Sequence, residues 1–123
     1  MLLSRLVIMR LSNFLAARRR AVQDESGRGG ETAIARVERL YPLPVSELCA
    51  ELARYPNAES VTWVQEEPVN MGAWPTMALK LPRVLSREVG VISLPASSAP
   101  AAGSAAKHAS THREIIETAI PSA

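Results

Sequence analysis

The sequence predicts an α/β fold in which a mostly parallel sheet is flanked by helices on both faces. Three observations point that way. Short apolar runs alternate along the chain with stretches whose apolar residues recur at helical spacing, the pattern of strands joined by helical crossovers. Proline or glycine punctuates the boundaries between many of these stretches, and either residue interrupts regular structure. Aromatic residues are only 4% of the chain against 47% hydrophobic residues overall, so the core must be built from Ala, Val, Leu and Ile. At 123 residues the chain makes one domain, and a domain of that size buries roughly two thirds of the surface its unfolded chain exposes.

Leu6 to Met9 reads as a short buried strand. Leu11, Phe14, Leu15 and Val22 then fall at roughly helical spacing, with Ser12 as N-cap and an end near Gln23. Asp24 to Thr32 is a polar loop containing Gly27, Gly29 and Gly30. Ala33 to Leu40 is predicted as a strand making contacts through Ile34, Val37 and Leu40, and Tyr41-Pro42-Leu43-Pro44 stops it. Val45, Leu48, Cys49 and Leu52 stand at i, i+3, i+4 and i+7, with Glu47, Glu51 and Arg54 on the other side, which is an amphipathic helix. Tyr55-Pro56-Asn57 ends it, and Val61, Trp63 and Val64 form the next strand. Thr76 to Leu81 is predicted as a helical turn that Pro82 breaks, and Val89 to Leu94 as the last strand. Pro95 to Gly103 has the composition of a flexible linker. Ser104 to Ile120 closes the chain as a helix with Ala105, Ile115, Ile116, Ala119 and Ile120 on its apolar side, stopped by Pro121.

The net charge of +2 is small and unevenly spread. Arg5, Arg10, Arg18, Arg19 and Arg20 all precede the first acid, Asp24, while the chain beyond Leu40 is mildly acidic. An acid-free basic start fits a transit peptide or a nucleic-acid arm, but Arg18-Arg19-Arg20 is better read as a cationic helix C-terminus, which complements the helix dipole. No aromatic residues interleave with it, so no nucleic-acid partner is expected. The run Leu6 to Met9 is too short for a membrane span, and no membrane partner is expected. Cys49 is the single cysteine, which excludes an intramolecular disulfide and fits a reducing cytoplasm.

The most distinctive stretch is Val64-Gln65-Glu66-Glu67-Pro68-Val69-Asn70-Met71-Gly72-Ala73-Trp74-Pro75. It joins other groups in order: Leu15-Ala16-Ala17-Arg18-Arg19, Thr32 to Pro44, Glu51 to Glu59, Pro95-Ala96-Ser97, Gly103-Ser104-Ala105 and His108. Together these resemble the C-terminal domain of the thiamine-diphosphate-dependent component of 2-oxoglutarate dehydrogenase. The actinobacterial members, known as multifunctional 2-oxoglutarate metabolism enzymes or 2-oxoglutarate decarboxylases, are the most similar. The resemblance covers residues 15–120, leaving 1–14 poorly matched and 121–123 as a tail.

That resemblance implies a Rossmann-like, transketolase-type C-terminal domain of a cytoplasmic oxidoreductase of the tricarboxylic acid cycle. Such a domain helps the subunits assemble and, in some members, receives effectors such as acetyl-CoA. In the intact family thiamine diphosphate and magnesium sit on other domains in a Gly-Asp-Gly context. Here Gly27-Arg28-Gly29-Gly30-Glu31 carries Arg where the metal-binding Asp belongs, so neither cofactor is expected in this chain and the chain alone is expected to be inactive. The expected partners are sister domains or a full-length subunit, with self-association when the chain is alone. In effector-binding relatives, basic residues after the Tyr-Pro-Leu-Pro loop hold phosphates. Those positions are Ser46 and Glu47 here, and a carboxylate repels phosphate, which leaves Arg39 as the candidate effector residue of a weakened site. A small effector-binding module and a truncated gene product are the alternatives.

No catalytic residue is predicted. Glu66 and Glu67 are adjacent, and adjacent strand residues point to opposite sides, so they cannot work as one acid and base pair. The expectation is that one of them bonds backbone donors of the Asn70–Trp74 turn and that Trp74 anchors a domain interface. His108 and His112 stand at i and i+4, a spacing that can turn two imidazoles toward zinc. The sequence offers no third ligand, so no metal is predicted, and His112, where the family often has Gln, reads as a replaceable surface position.

Overall fold

The computed structural model describes residues 5–9, 32–99 and 103–120. The predicted helix from Ser12 to Gln23, the Gly27–Gly30 loop and Pro121 lie outside them. Four strands, β1 (Arg5–Met9), β2 (Thr32–Arg36), β3 (Ser60–Pro68) and β4 (Gly90–Leu94), form one sheet in the order β2-β1-β3-β4. All three pairings are parallel. Among the described residues three helices accompany them: α1 (Val45–Ala53), α2 (Trp74–Leu85) and α3 (Ala105–Ala119). The α/β fold with a small parallel sheet flanked by helices is therefore as predicted.

Side chains alternate across a strand, and β3 shows how the two faces are used. Val61, Trp63 and Gln65 point to one side and Val64 to the other, all of them buried. On the first side Trp63 joins Ala33, Ala35 and Val37, Leu48 of α1, and Met77, Leu81 and Leu85 of α2 in one apolar cluster. On the second, Val64 packs with Ile115, Ile116, Ala119 and Ile120, against which Ile34, Ile92 and Leu94 rest. Helices thus cover both faces, as a parallel sheet requires.

Several predicted elements need correction. The strand predicted over Ala33 to Leu40 runs from Thr32 to Arg36, and Val37 to Leu40 leave it as irregular chain. Its inward residues toward α1 and α2 are Ala33, Ala35 and Val37, while Ile34 faces the α3 layer. The helical turn expected from Thr76 to Leu81 is a twelve-residue helix that runs through Pro82. Proline inside a helix costs about 3 kcal/mol, but Met77, Leu81 and Leu85 form a stripe buried to 1%, 0% and 6% exposure, and burying each such side chain is worth about 1.5–3 kcal/mol. Packing across the proline wins. The N-terminal end moves the other way, since Pro75 near the helix start has the φ a first turn needs. In α3 the buried residues are confined to the second half; Ala105 is exposed.

The remaining ends are closed by side chains. Ser104 caps α3 by accepting from the Lys107 amide at 3.2 Å. Arg87 Nη2 donates to the Ala58 carbonyl at 3.0 Å, tying the entry of β3 to the entry of β4. On the wet face of α1, Arg54 Nη1 donates to Glu51 at 3.1 Å, a bond that holds the guanidinium above its already high ordinary pKa.

Trp63 is the largest fully buried side chain among the described residues and shares one apolar cluster with residues of both helices of its layer. Replacing it by Ala is expected to cost about 3–5 kcal/mol, read as a lower urea midpoint with unchanged slope for a variant that still folds.

Candidate functional site

The distinctive Gln65–Trp74 stretch spans the C-terminal end of β3 and the entry to α2, at the sheet edge where open parallel folds place their sites. Its organising residue is Gln65, only 2% exposed. Gln65 Oε1 accepts from Trp63 Nε1 at 3.1 Å and from the Trp74 backbone N–H at 2.9 Å. Its Nε2 donates to the carbonyls of Pro68 at 3.0 Å and Met71 at 2.9 Å, with a longer contact to Glu67 O at 3.3 Å. An amide side chain has two acceptor and two donor positions, and all are occupied. One side chain therefore joins the buried indole, the turn and the first amide of α2, a group no intrahelical carbonyl can reach.

The neighbours of Gln65 extend this node. Asn70 makes a two-way clasp with Ser97: Nδ2 donates to the Ser97 carbonyl at 3.0 Å, and Oδ1 accepts from its N–H at 3.0 Å. Val69 N–H adds a bond to the Leu94 carbonyl at 2.9 Å. The turn is thus fastened to the segment leaving β4, and the stretch predicted as a flexible linker from Pro95 to Gly103 is pinned at Ser97. Gly72 has φ +64°, a left-handed conformation that disfavours any side chain. A Cβ there would also lie 3.0 Å from Glu67 Cδ, because Glu67 folds over the glycine.

Glu66 points to the opposite face. Its Oε2 lies 3.3 Å from His112 Nε2 of α3, whose side chain is only 11% exposed. His112 is therefore packed against the sheet rather than lying at a replaceable surface position, since α3 brings that turn down onto β3. His108 lies beside it, with ring centroids 4.2 Å apart and the ring planes tilted by 42°. Among the described residues no group of three or more His, Cys, Asp or Glu is arranged to hold a metal ion.

The structure thus gathers Gln65, Glu66, Glu67, Asn70 and Trp74 at one end of β3 but leaves Arg39 elsewhere. Arg39 lies between β2 and α1, where its Nε donates to the Pro42 carbonyl at 3.1 Å. Glu47 sits in the first turn of α1, where its charge favours the helix dipole. The acceptor for the Trp74 amide is Gln65 and not either glutamate. Trp74 itself is half-buried and packs against the α1/α2 cluster. Sequence reasoning missed Gln65, although the signal was there: it continues the inward phase of Val61 and Trp63, so a polar side chain at that position has to be buried.

Removing the Gln65 amide should strand buried donors and carbonyls, each costing about 1–3 kcal/mol. Gln65→Leu is expected to lose about 3 kcal/mol or more, and Gln65→Glu to be destabilised too, because it faces carbonyl oxygens with a carboxylate. Urea unfolding followed by Trp fluorescence reads both. Gly72→Ala should cost about 1–2 kcal/mol from the left-handed backbone alone, seen as a lower midpoint in the same assay.

Comparison with known proteins places these features. The family described as 2-oxoglutarate dehydrogenase C-terminal matches residues 12–120. A multifunctional 2-oxoglutarate metabolism enzyme of Mycolicibacterium vanbaalenii is 52% identical over 93 residues, 73% of this chain and 8% of that protein. Proteins of the same name from Mycobacterium sp. strains KMS and MCS are each 48% identical over 93 residues, 73% of this chain and 7% of theirs. The chain therefore spans less than a tenth of the length of the curated relatives it matches. With a parallel sheet flanked by helices and a family match across most of its length, the chain belongs to the 2-oxoglutarate dehydrogenase C-terminal family.

Proposed function

We propose that this chain is the structural terminal domain of a 2-oxoglutarate dehydrogenase or decarboxylase, supplying contacts to the rest of that enzyme and no reacting groups of its own. The observation that carries this reading is the use made of the distinctive motif. Gln65 and Asn70 spend their amides on local backbone groups, and Glu66 lies against His112. A residue held this way stiffens the fold and is not offered to a substrate. Apolar surface remains for docking: Tyr41 is 85% and Leu79 69% exposed, and half-buried Trp74 serves as an interface anchor. Large exposed apolar side chains mark contact surfaces when they cluster. The partners are sister domains or a full-length subunit.

Supplied with thiamine diphosphate, magnesium and 2-oxoglutarate, the purified chain is expected to release no carbon dioxide above the protein-free rate; robust turnover would contradict the reading. Added to the Mycolicibacterium vanbaalenii relative truncated of its matching segment, it is expected to co-purify with it and recover activity.

A second reading, capture of acetyl-CoA or an adenine nucleotide, is favoured by one feature. Lys80 Nζ stands 6.0 Å from the centroid of the exposed Tyr41 ring, and Arg39 lies two residues before that tyrosine. An aromatic face with a cation over it suits a base bearing phosphates, though Glu47 opposes it. Calorimetry at micromolar ligand decides: heat that disappears in Arg39→Ala supports this module, and no heat favours the purely structural domain.

A further inference from the structure

The exposed residues of α2 are Pro75, Thr76, Leu79, Lys80 and Arg83. At about 100° per residue they fall on one continuous flank, opposite the buried stripe of Met77, Leu81 and Leu85. Lys80 stands at the border of that flank nearest α1, because Val84, one helical turn beyond it, accepts a bond from Cys49 Sγ of α1 at 3.3 Å. There Lys80 Nζ stands over the exposed Tyr41 ring, 6.0 Å from its centroid. Leu79, next along the helix and also exposed, brings a second large apolar side chain to the same surface.

The charges of this flank are of one sign. The exposed residues of α1 and α3 mix acids with bases, Glu47 and Arg54 on the first and Lys107, Arg113 and Glu114 on the second. α2 carries Lys80 and Arg83 and no acid, in a chain whose 12 acids nearly balance its 14 Lys and Arg residues. Neither of the two cations has a carboxylate partner among the described residues. The helix dipole accounts for Arg83 in the last turn, but not for Lys80 in the middle. Spaced three apart, they are neighbours of like charge, which is unfavourable in the free domain. Solvated surfaces intersperse both signs and keep large apolar side chains apart; this flank does neither.

We propose that the outer flank of α2, with Tyr41, is the surface by which the domain docks onto the rest of its enzyme, and that the face it meets carries carboxylates around an apolar spot. The inference rests on the structural-domain reading and adds where the contact is made and the chemistry on its other side. Carboxylates brought to Lys80 and Arg83 relieve their mutual repulsion, and apolar contact covers Tyr41 and Leu79. Tyrosine and arginine are the side chains that most often carry binding energy at an interface centre. An ordinary interface covers about 800 Å² on each partner, so surface around this centre joins in. The flank is also presented rigidly. Gln65 fixes the first amide of α2 and three buried side chains hold its inner face, so little ordering remains to be done on docking. A base bearing phosphates would use Tyr41 and Lys80 but leave Leu79 and Arg83 without a role.

Lys80 and Lys107 are the two lysines of the chain, which gives a footprint with its own control. When the purified chain is mixed with the Mycolicibacterium vanbaalenii relative truncated of its matching segment, acetylation read by mass spectrometry is expected to be lost at Lys80 and unchanged at Lys107. Calorimetry at about 0.1 M salt should show Kd raised about tenfold or more by Lys80→Glu combined with Arg83→Glu, and within about twofold of the unaltered chain for Lys80→Arg. The gap between the two variants should shrink at about 1 M salt, where the screening length falls to about 3 Å. These positions are exposed, so circular dichroism should stay native; if the double reversal loses its fold, the footprint on the unaltered chain decides. Binding that is indifferent to the reversal, with Lys80 still acetylated in the complex, overturns the proposal and leaves the structural-domain reading standing, because the domain then docks by another face. A chain that neither binds nor restores the truncated relative overturns both. Loss of Lys80 acetylation on adding acetyl-CoA alone, or on concentrating the chain alone, with none caused by the truncated relative, assigns the flank to a different occupant and also overturns the proposal.

Discussion

A buried amide that must satisfy every one of its hydrogen-bonding positions is the constraint on which this structure turns. Gln65 cannot be at 2% exposure unless donors converge on its oxygen and carbonyls on its nitrogen. Meeting that demand fixes the Trp63 indole, bends the chain after Pro68 so that Met71 faces back, and sets where α2 begins. Its position on β3, the longest strand among the described residues and the one between β1 and β4, passes the constraint to both layers. The inward face carries Trp63 and the α1/α2 core, while the next residue along, Glu66, reaches α3 through His112.

Each unusual residue of the motif then has a local reason. Gly72 is needed because the return bend has a positive φ under Glu67. Asn70 is needed because its short amide can meet both the N–H and the carbonyl of Ser97. The pattern that looked most like chemistry is a fastening between β3, α2 and the segment leaving β4, and a fastening suits a domain that occupies less than a tenth of its relatives' length.

Much of the architecture was legible in the sequence because hydrophobic period and proline placement agree there. Trp63 with Val61 and the Ile115-Ile116 end of α3 were readable from spacing, whereas the stripe predicted for α1 buries only Leu48: Val45 and Cys49 are exposed and Leu52 is half-buried. Alanine hid the inward face of β2, where Ala33 and Ala35 look neutral and Ile34 draws the eye to the wrong side. Pro82 misled because a local rule was applied where Met77, Leu81 and Leu85 bury the same helix on both sides of it. The family was legible from the Gln-Glu-Glu-Pro block, yet the roles inside that block were not. Attention goes to paired carboxylates, whereas burial selects the glutamine beside them, and only the phase of β3 shows it. Contacts such as Glu66 with His112, separated by most of an α/β unit, depend on how α3 settles on the sheet and have no local signature.

Native-state hydrogen exchange at the Trp74 amide tests the central claim most directly. First-turn amides of a helix lack an intrahelical acceptor and normally exchange quickly. Bonded to Gln65 in a buried node, the Trp74 N–H should instead exchange only through global unfolding, as slowly as the central amides of β3. Fast exchange there, with β3 protected, would show that the node is not closed and would contradict the account.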